Sequence, residues 1–403
     1  MVFLASCARE PSPVVLPDVW SYTDSFLEEA AQSLSVREAV GQLLLPGLED
    51  PKTGAPLTEL SEEDIASLAA LAPGGVVLYG GSFQSLEQVT GLVAAVDDAI
   101  GLSPFVGVDY EGGLVSRLTD TGGVPATPVP QARLIGERLA AGAIGIEQVE
   151  LLGELMGSEL RAVGANMNFA PVADVDPPDG IGAIGRDGRT FGRDPVLVGQ
   201  IAAALTRGMQ RQGVAAVVKH FPGHGAVTDD SHFTLPTLPA DRSLLLRRDL
   251  AAFETVFASR PAAIMTAHMS VPSLDSTGTP ATLSAPILSD LLREEIGYDG
   301  LVVTDALNMR AMTEYAPEAE LVVAAVLAGA DIILKPVDAV AAAEALLDAV
   351  SDGRLSRERI DSSVARILRS KLELGVLSPF PQNREWQIGN DAHAALIRDL
   401  RGE

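Results

Sequence analysis

From about residue 40 onward, short apolar runs alternate with longer segments in which Leu, Ala and Val recur every three or four positions. Eight runs stand out, at 42–46, 75–79, 105–109, 166–174, 215–220, 262–268, 301–305 and 331–335. They are rich in Val, Ile and Leu and lack the polar alternation of a strand with one wet face. This pattern predicts parallel strands buried on both faces. The segments between them predict helices. Residues 86–100, 148–163 and 195–212 have helical spacing, and Gly213 follows the last as a stop. Residues 317–328 and 338–350 read the same way, with Gly329 and Gly353 just beyond. Pro317 suits a first helical position and Asp338 an N-cap.

Eight strand–helix units predict an α/β fold, a single TIM-like (β/α)8 barrel with no second α/β domain. An open doubly wound sheet is the alternative. The barrel is favoured because Asp109, Asp174, Lys219, His220, His268 and Asp305 all fall at the C-terminal edge of an apolar run. In a closed barrel those edges converge on one mouth. The barrel is expected over residues 21–377, and residues 378–403, with Pro379 and Pro381, read as a tail packing on its outside.

Composition narrows the picture. A chain of 403 residues that is 47% hydrophobic can bury a large core. A net charge of −25 excludes nucleic acid as a partner, since its phosphates would be repelled. No apolar run approaches the ~18 residues of a membrane span. The one cysteine, Cys7, follows Leu4-Ala5-Ser6, which resembles the lipobox of bacterial lipoproteins, although only six residues precede it. Residues 9–17 carry three prolines and read as an extended tether. Residues 1–20 are thus expected to be a truncated signal with a lipidated Cys7, giving an extracytoplasmic, membrane-anchored protein. If the lipobox is accidental, the location is cytoplasmic.

The chemistry concentrates in scarce residues. Of five histidines, His220, His224 and His232 lie within thirteen positions, and one of only four lysines, Lys219, opens that cluster. Histidine changes charge near neutral pH, so the cluster is a candidate proton-transfer site. Asp230, two residues before His232, can fix the imidazole tautomer and favour its charged form. Asp305 closes Leu301-Val302-Val303-Thr304 and would sit at the floor of the mouth as nucleophile, base or metal ligand, or cap the next helix. Asp109 and Arg117 flank the glycine pair Gly112-Gly113, and Arg189 lies on another glycine-flanked loop; these suit hydroxyl and carbonyl groups. His220, His224, His232 and Asp230 are also zinc-ligand types. The four-residue spacing of His220 and His224 is not a helical zinc motif, however, because Pro222 and Gly223 intervene.

The segments Asp109-Tyr-Glu-Gly-Gly, Arg189-Thr-Phe-Gly, Lys219-His-Phe-Pro-Gly-His-Gly, Asp230-Ser-His, Met265-Thr-Ala-His and Val303-Thr-Asp305 resemble, in order and spacing, glycoside hydrolase family 3. The resemblance is narrower to its β-N-acetylglucosaminidases acting on cell-wall fragments. It implies Asp305 as nucleophile and His232 with Asp230 as a general acid/base dyad. It also implies Asp109, Arg117, Arg189, Lys219 and His220 as sugar-binding residues, with His268 close by. No cofactor or metal is implied. The expected activity is a retaining exo-β-N-acetylglucosaminidase that removes terminal GlcNAc from peptidoglycan-derived saccharides. A histidine in place of the usual carboxylate repels anionic acceptors less, so phosphate is expected to compete with water. The alternatives are the same fold acting on another β-glycoside, and a sugar-binding lipoprotein that does not cleave.

Overall fold

A computed structural model describes residues 24–180, 182–229, 234–238, 240–377 and 386–403. Cys7, the 1–20 leader, Asp230 and His232 lie outside these residues.

Among the described residues ten strands are formed: β1 Leu44–Leu45, β2 Gly75–Val77, β3 Phe105–Val108, β4 Tyr110–Gly112, β5 Val115–Ser116, β6 Met167–Asn168, β7 Ala215–Phe221, β8 Ala263–Thr266, β9 Leu301–Val303 and β10 Ile333–Leu334. Six run parallel in one sheet in the order β2-β3-β6-β7-β8-β9, and β1 pairs in parallel with β10. Parallel bridges Gly47–Val77 and Val303–Ile332 join that pair to both edges of the sheet. Hydrogen bonding therefore runs around a ring of eight strands, the TIM-like arrangement that the eight apolar runs predict. The remaining two strands form an antiparallel hairpin directly after β3.

Each barrel strand is followed by at least one helix, and local chemistry explains where several begin and end. Ser85 caps Leu86–Ile100 by accepting the Gln88 N–H, and Gly101 ends it at a left-handed φ of 69°. Asp194 caps Pro195–Arg211, whose proline occupies the first turn. Asp338 accepts the N–H groups of Val340 and Ala341 and caps Ala339–Ser351. Pro317 does not occupy the first helical position: its ψ of 143° is extended, and the helix starts at Glu318.

Two other expectations need correction. Gln42 does not begin a strand; it ends the helix Val36–Gln42, and β1 is only Leu44–Leu45. The run 166–174 contributes just Met167–Asn168 as regular strand. There the Asn side chains extend the ladder: Asn166 Oδ1 accepts the Val106 N–H at 2.7 Å, and Asn168 Oδ1 accepts the Tyr110 N–H at 3.0 Å.

The eight barrel strands are buried throughout, including all seven residues of β7. Charge at the N-terminal end of the barrel is structural. Asp331, two residues before β10, accepts from Arg293 at 2.6 Å, Ser363 at 2.6 Å and the Val302 N–H at 3.0 Å. Lys371 is fully buried and donates to Gln42 Oε1 at 3.1 Å and the Leu102 carbonyl at 3.3 Å. The helix Asp391–Arg401 buries Ile397 and Leu400. Buried Glu159 anchors this segment, accepting from the Gly389 N–H at 3.0 Å and pairing with His393 Nδ1 at 3.0 Å, while Tyr110 Oη donates to it at 2.8 Å. Among the described residues no helix is long and apolar enough to cross a membrane.

Candidate active site

The C-terminal ends of the strands converge, and the scarce polar residues meet there. Asp109 follows β3, Lys219 and His220 lie in β7, His268 follows β8 and Asp305 follows β9. The pleat of β7 turns neighbouring side chains to different surroundings. Lys219 Nζ donates to Glu111 Oε1 at 2.7 Å and to Asp109 Oδ1 at 3.1 Å. Glu111 also receives a bidentate pair from Arg189, at 2.9 Å from Nε and 2.8 Å from Nη2. The Glu111 side chain is only 6% exposed. Burial alone would raise its pKa, but Arg189 and Lys219 outweigh burial and hold the carboxyl well below the usual range. Lys219 is likewise buried, and Glu111 and Asp109 overcome that penalty and hold it charged.

His220 belongs to a second buried group. Its Nδ1 lies 2.6 Å from Asp174 Oδ2, and the backbone N–H of His224 donates to Asp174 Oδ1 at 2.6 Å. Burial works against ionisation of Asp174, yet His220 and these donors keep its pKa below the ordinary value. The imidazole pairing orients the ring as a carboxylate orients a catalytic or ligating histidine. His224 is almost fully buried, its ring centroid is 5.7 Å from that of His220, and neither ring nitrogen has a hydrogen-bond partner among the described residues. Burial and the neighbouring His220 lower its pKa, which favours the neutral imidazole.

Asp305 is half-buried. Its N–H donates to Thr266 Oγ1 at 3.4 Å, and its Oδ1 accepts the Ala306 N–H at 2.7 Å. It does not cap a helix: the next one, Arg310–Thr313, has Met309 at its N-cap. Burial raises the Asp305 pKa, but the fields of His268, His220 and Lys219 together with the Ala306 N–H bring it below the ordinary value. His268 is held in place by Thr282 Oγ1, 2.7 Å from Nδ1, and by the Ala306 carbonyl, 3.0 Å from Nε2. Because that carbonyl can only accept, Nε2 carries a proton. The result is an ionised carboxylate at the floor of the mouth beside cationic and imidazole donors. Such an arrangement suits attack on an electrophilic carbon flanked by hydroxyl groups.

A profile of the Glycosyl hydrolase family 3 N terminal domain matches residues 35–370. The chain belongs to glycoside hydrolase family 3. Among its relatives, the beta-hexosaminidase A of Pseudoalteromonas piscicida is 31% identical over 375 residues, which cover 86% of this chain and 61% of that protein. This family 3 chain thus spans less than two thirds of that relative's length. The beta-hexosaminidase of Thioalkalivibrio sulfidiphilus is 36% identical, with 82% of this chain and 91% of the other covered. A solved family 3 beta-N-acetylglucosaminidase from Paenibacillus superposes with a TM-score of 0.82 at 36% identity, covering 91% of this chain and 68% of that one. A Beta-N-acetylhexosaminidase from Beutenbergia cavernae gives a TM-score of 0.71 at 30% identity, covering 84% and 98% respectively.

In this family 3 barrel, then, Asp109, Arg189, Lys219, His220, His268 and Asp305 are gathered at one mouth. Arg117 is tied to the site through its backbone, its N–H donating to the Asp109 carbonyl at 3.0 Å, while its side chain turns to Asp120 at 3.3 Å. The sequence reading does not single out Glu111, Asp174 as the His220 partner, or Thr282. Two of these carried a signal: Glu111 lies two residues beyond Asp109, and Asp174 ends an apolar run. Thr282 carried none.

Proposed function

We propose that this protein is a retaining exo-β-N-acetylglucosaminidase acting on peptidoglycan-derived saccharides. The observation that carries this reading is the ionised Asp305 at the end of β9, faced by His268, His220 and Lys219. The relatives' names support the sugar. In the proposed first step, an Asp305 oxygen bonds to the anomeric carbon as the glycosidic C–O bond breaks, and the leaving oxygen takes a proton from the His232 imidazolium. In the second, neutral His232 removes a proton from water, which displaces Asp305 and restores both groups. Asp230 holds the His232 ring and favours its charged form. Asp109, Arg117, Arg189, Lys219 and His220 bind the sugar hydroxyls. Cys7 is proposed as a lipid anchor that keeps the barrel outside the cytoplasm.

The test is a fluorinated slow substrate of the N-acetylglucosamine series, followed by proteolysis and mass spectrometry. The expected result is one added sugar on the peptide containing Asp305. A label on another carboxylate, or an inverted product with no adduct, would overturn the assignment.

A further inference from the structure

Among the described residues, the Lys335 ammonium at the mouth has no carboxylate partner. Lys219 is neutralised by Asp109 and Glu111, Arg189 by Glu111, and Arg117 faces Asp120. Lys335, at the end of β10, forms no ion pair among the described residues; its Nζ instead stands 4.3 Å from the centroid of the Tyr79 ring. The residue is half-buried, so water compensates its charge only in part. Its position is fixed by the barrel. The Lys335 N–H donates to the Leu45 carbonyl at 2.9 Å, and its own carbonyl accepts from Asn308, three residues after Asp305, at 3.1 Å. Thr304 Oγ1, adjacent to Asp305, accepts the Leu334 N–H at 2.9 Å. The end of β10 is thus fastened to the strand end that carries the nucleophile.

The backbone adds an independent observation. Lys335 has a φ of 47°, the left-handed region that favours glycine and costs other residues about 1 kcal/mol or more. A long cationic side chain is kept where the main chain would prefer none. Tyr79 gives it an aromatic face, a contact that stabilises an ammonium without neutralising it. Burial lowers its pKa, with Arg117 acting in the same sense, while Glu49, Asp109 and Asp305 pull the other way, so it shares the field of the site.

We propose that Lys335 is a specificity residue: its ammonium binds an anionic substituent, a carboxylate or phosphate, carried on the saccharide that reacts at Asp305. The inference rests on the glycosidase reading above. A chain of net charge −25 repels anionic substrates at long range, and an unpaired ammonium inside the mouth reverses that locally. Tyr79 would hold the ammonium in place before the anion arrives, which reduces the ordering cost of binding.

Two substrate pairs test this. The first is a β-1,4-disaccharide with terminal N-acetylglucosamine and an O-linked carboxylic acid on the second sugar, compared with its methyl ester. The second is an aryl β-N-acetylglucosaminide 6-phosphate, compared with the unphosphorylated glycoside. The wild-type protein is expected to favour the charged member of one pair by about ten-fold in kcat/KM, the scale of a hydrogen bond to a charged group. Whichever pair discriminates locates the anion on the leaving sugar or on the sugar at Asp305. Lys335→Met should bring that ratio to about one, and Lys335→Arg should keep most of it. Calorimetry of the same pairs on Asp305→Asn reads the discrimination without turnover. An inactive wild type would therefore defeat the glycosidase reading while Lys335 is still put to the test. The proposal is overturned if the wild type discriminates neither pair, or if the discrimination persists in Lys335→Met.

Discussion

Lys219 Nζ lies 2.7 Å from Glu111 Oε1 and 3.1 Å from Asp109 Oδ1, so one buried ammonium is shared by two carboxylates of the segment directly after β3. Arg189 closes the arrangement on the far side of Glu111, at 2.8 Å. Asp109 is the more exposed of the two acids, with a third of its side chain open, and is free to accept from a substrate hydroxyl. Glu111 is the inner counter-charge that keeps Lys219 and Arg189 in register.

Glu111→Gln should therefore act on both stability and activity. Removing one partner of a buried ion pair leaves uncompensated charge and typically costs about 3–5 kcal/mol. The sign in acid follows from linkage. The folded-state pKa of Glu111 is depressed, so its contribution is present above the usual carboxylate range and is lost as pH falls through the folded value. Urea unfolding should show a lower midpoint for the variant at pH 7 and a shallower loss of stability in acid than for the wild type. Equal acid slopes would contradict the role given to Glu111.

Lys371 predicts a slope on the alkaline side. Burial pushes its pKa down to about 7, with the charge of Asp97 opposing. The unfolded lysine holds its proton up to the ordinary range near ~10.5. Between these values the unfolded state binds more protons, so stability should rise with pH over that window. Urea midpoints at pH 7 and pH 9 should increase for the wild type, and Lys371→Met should remove most of the increase.

Gly223 lies between His220 and His224, both anchored on Asp174. Its φ is 127°, and a Cβ there would come within 2.4 Å of the Asp249 Cβ. Gly223→Ala should shift the segment that holds both imidazoles. The expected effect is a loss of at least about ten-fold in kcat/KM and about 2 kcal/mol of stability. Near wild-type activity would show that the segment tolerates displacement.

The contact between His393 and Glu159 predicts a separable effect. His393→Ala removes one donor from a buried carboxylate that has several others, at a cost of about 1 kcal/mol. Limited proteolysis should release the C-terminal helix faster, with kcat/KM within two-fold of wild type. Loss of activity without faster cleavage would count against a purely anchoring role.

The barrel was legible because strands buried on both faces leave uninterrupted apolar runs, and because their C-terminal edges carried the scarce Asp, Lys and His residues. What could not be read were contacts set by register and by distance along the chain. The 109–117 segment reads as a glycine loop, yet it forms the hairpin that swings Glu111 beneath Lys219. Asp174 and His220 are 46 residues apart and meet only because β6 and β7 are neighbours. Most barrel strands are shorter than their apolar runs, and at β6 the side chains of Asn166 and Asn168 bond to the neighbouring backbone of Val106 and Tyr110. Thr282 orients His268 from a short turn that has no periodicity of its own.

The most direct measurement is steady-state hydrolysis of an aryl β-N-acetylglucosaminide beside the matching β-glucoside, with wild-type protein and Asp305→Ala. The account predicts turnover of the N-acetylglucosaminide and a loss on the order of 10⁴-fold in the variant, the scale seen when a catalytic nucleophile is removed. Turnover of the glucoside alone, or an Asp305→Ala variant as active as the wild type, would contradict it.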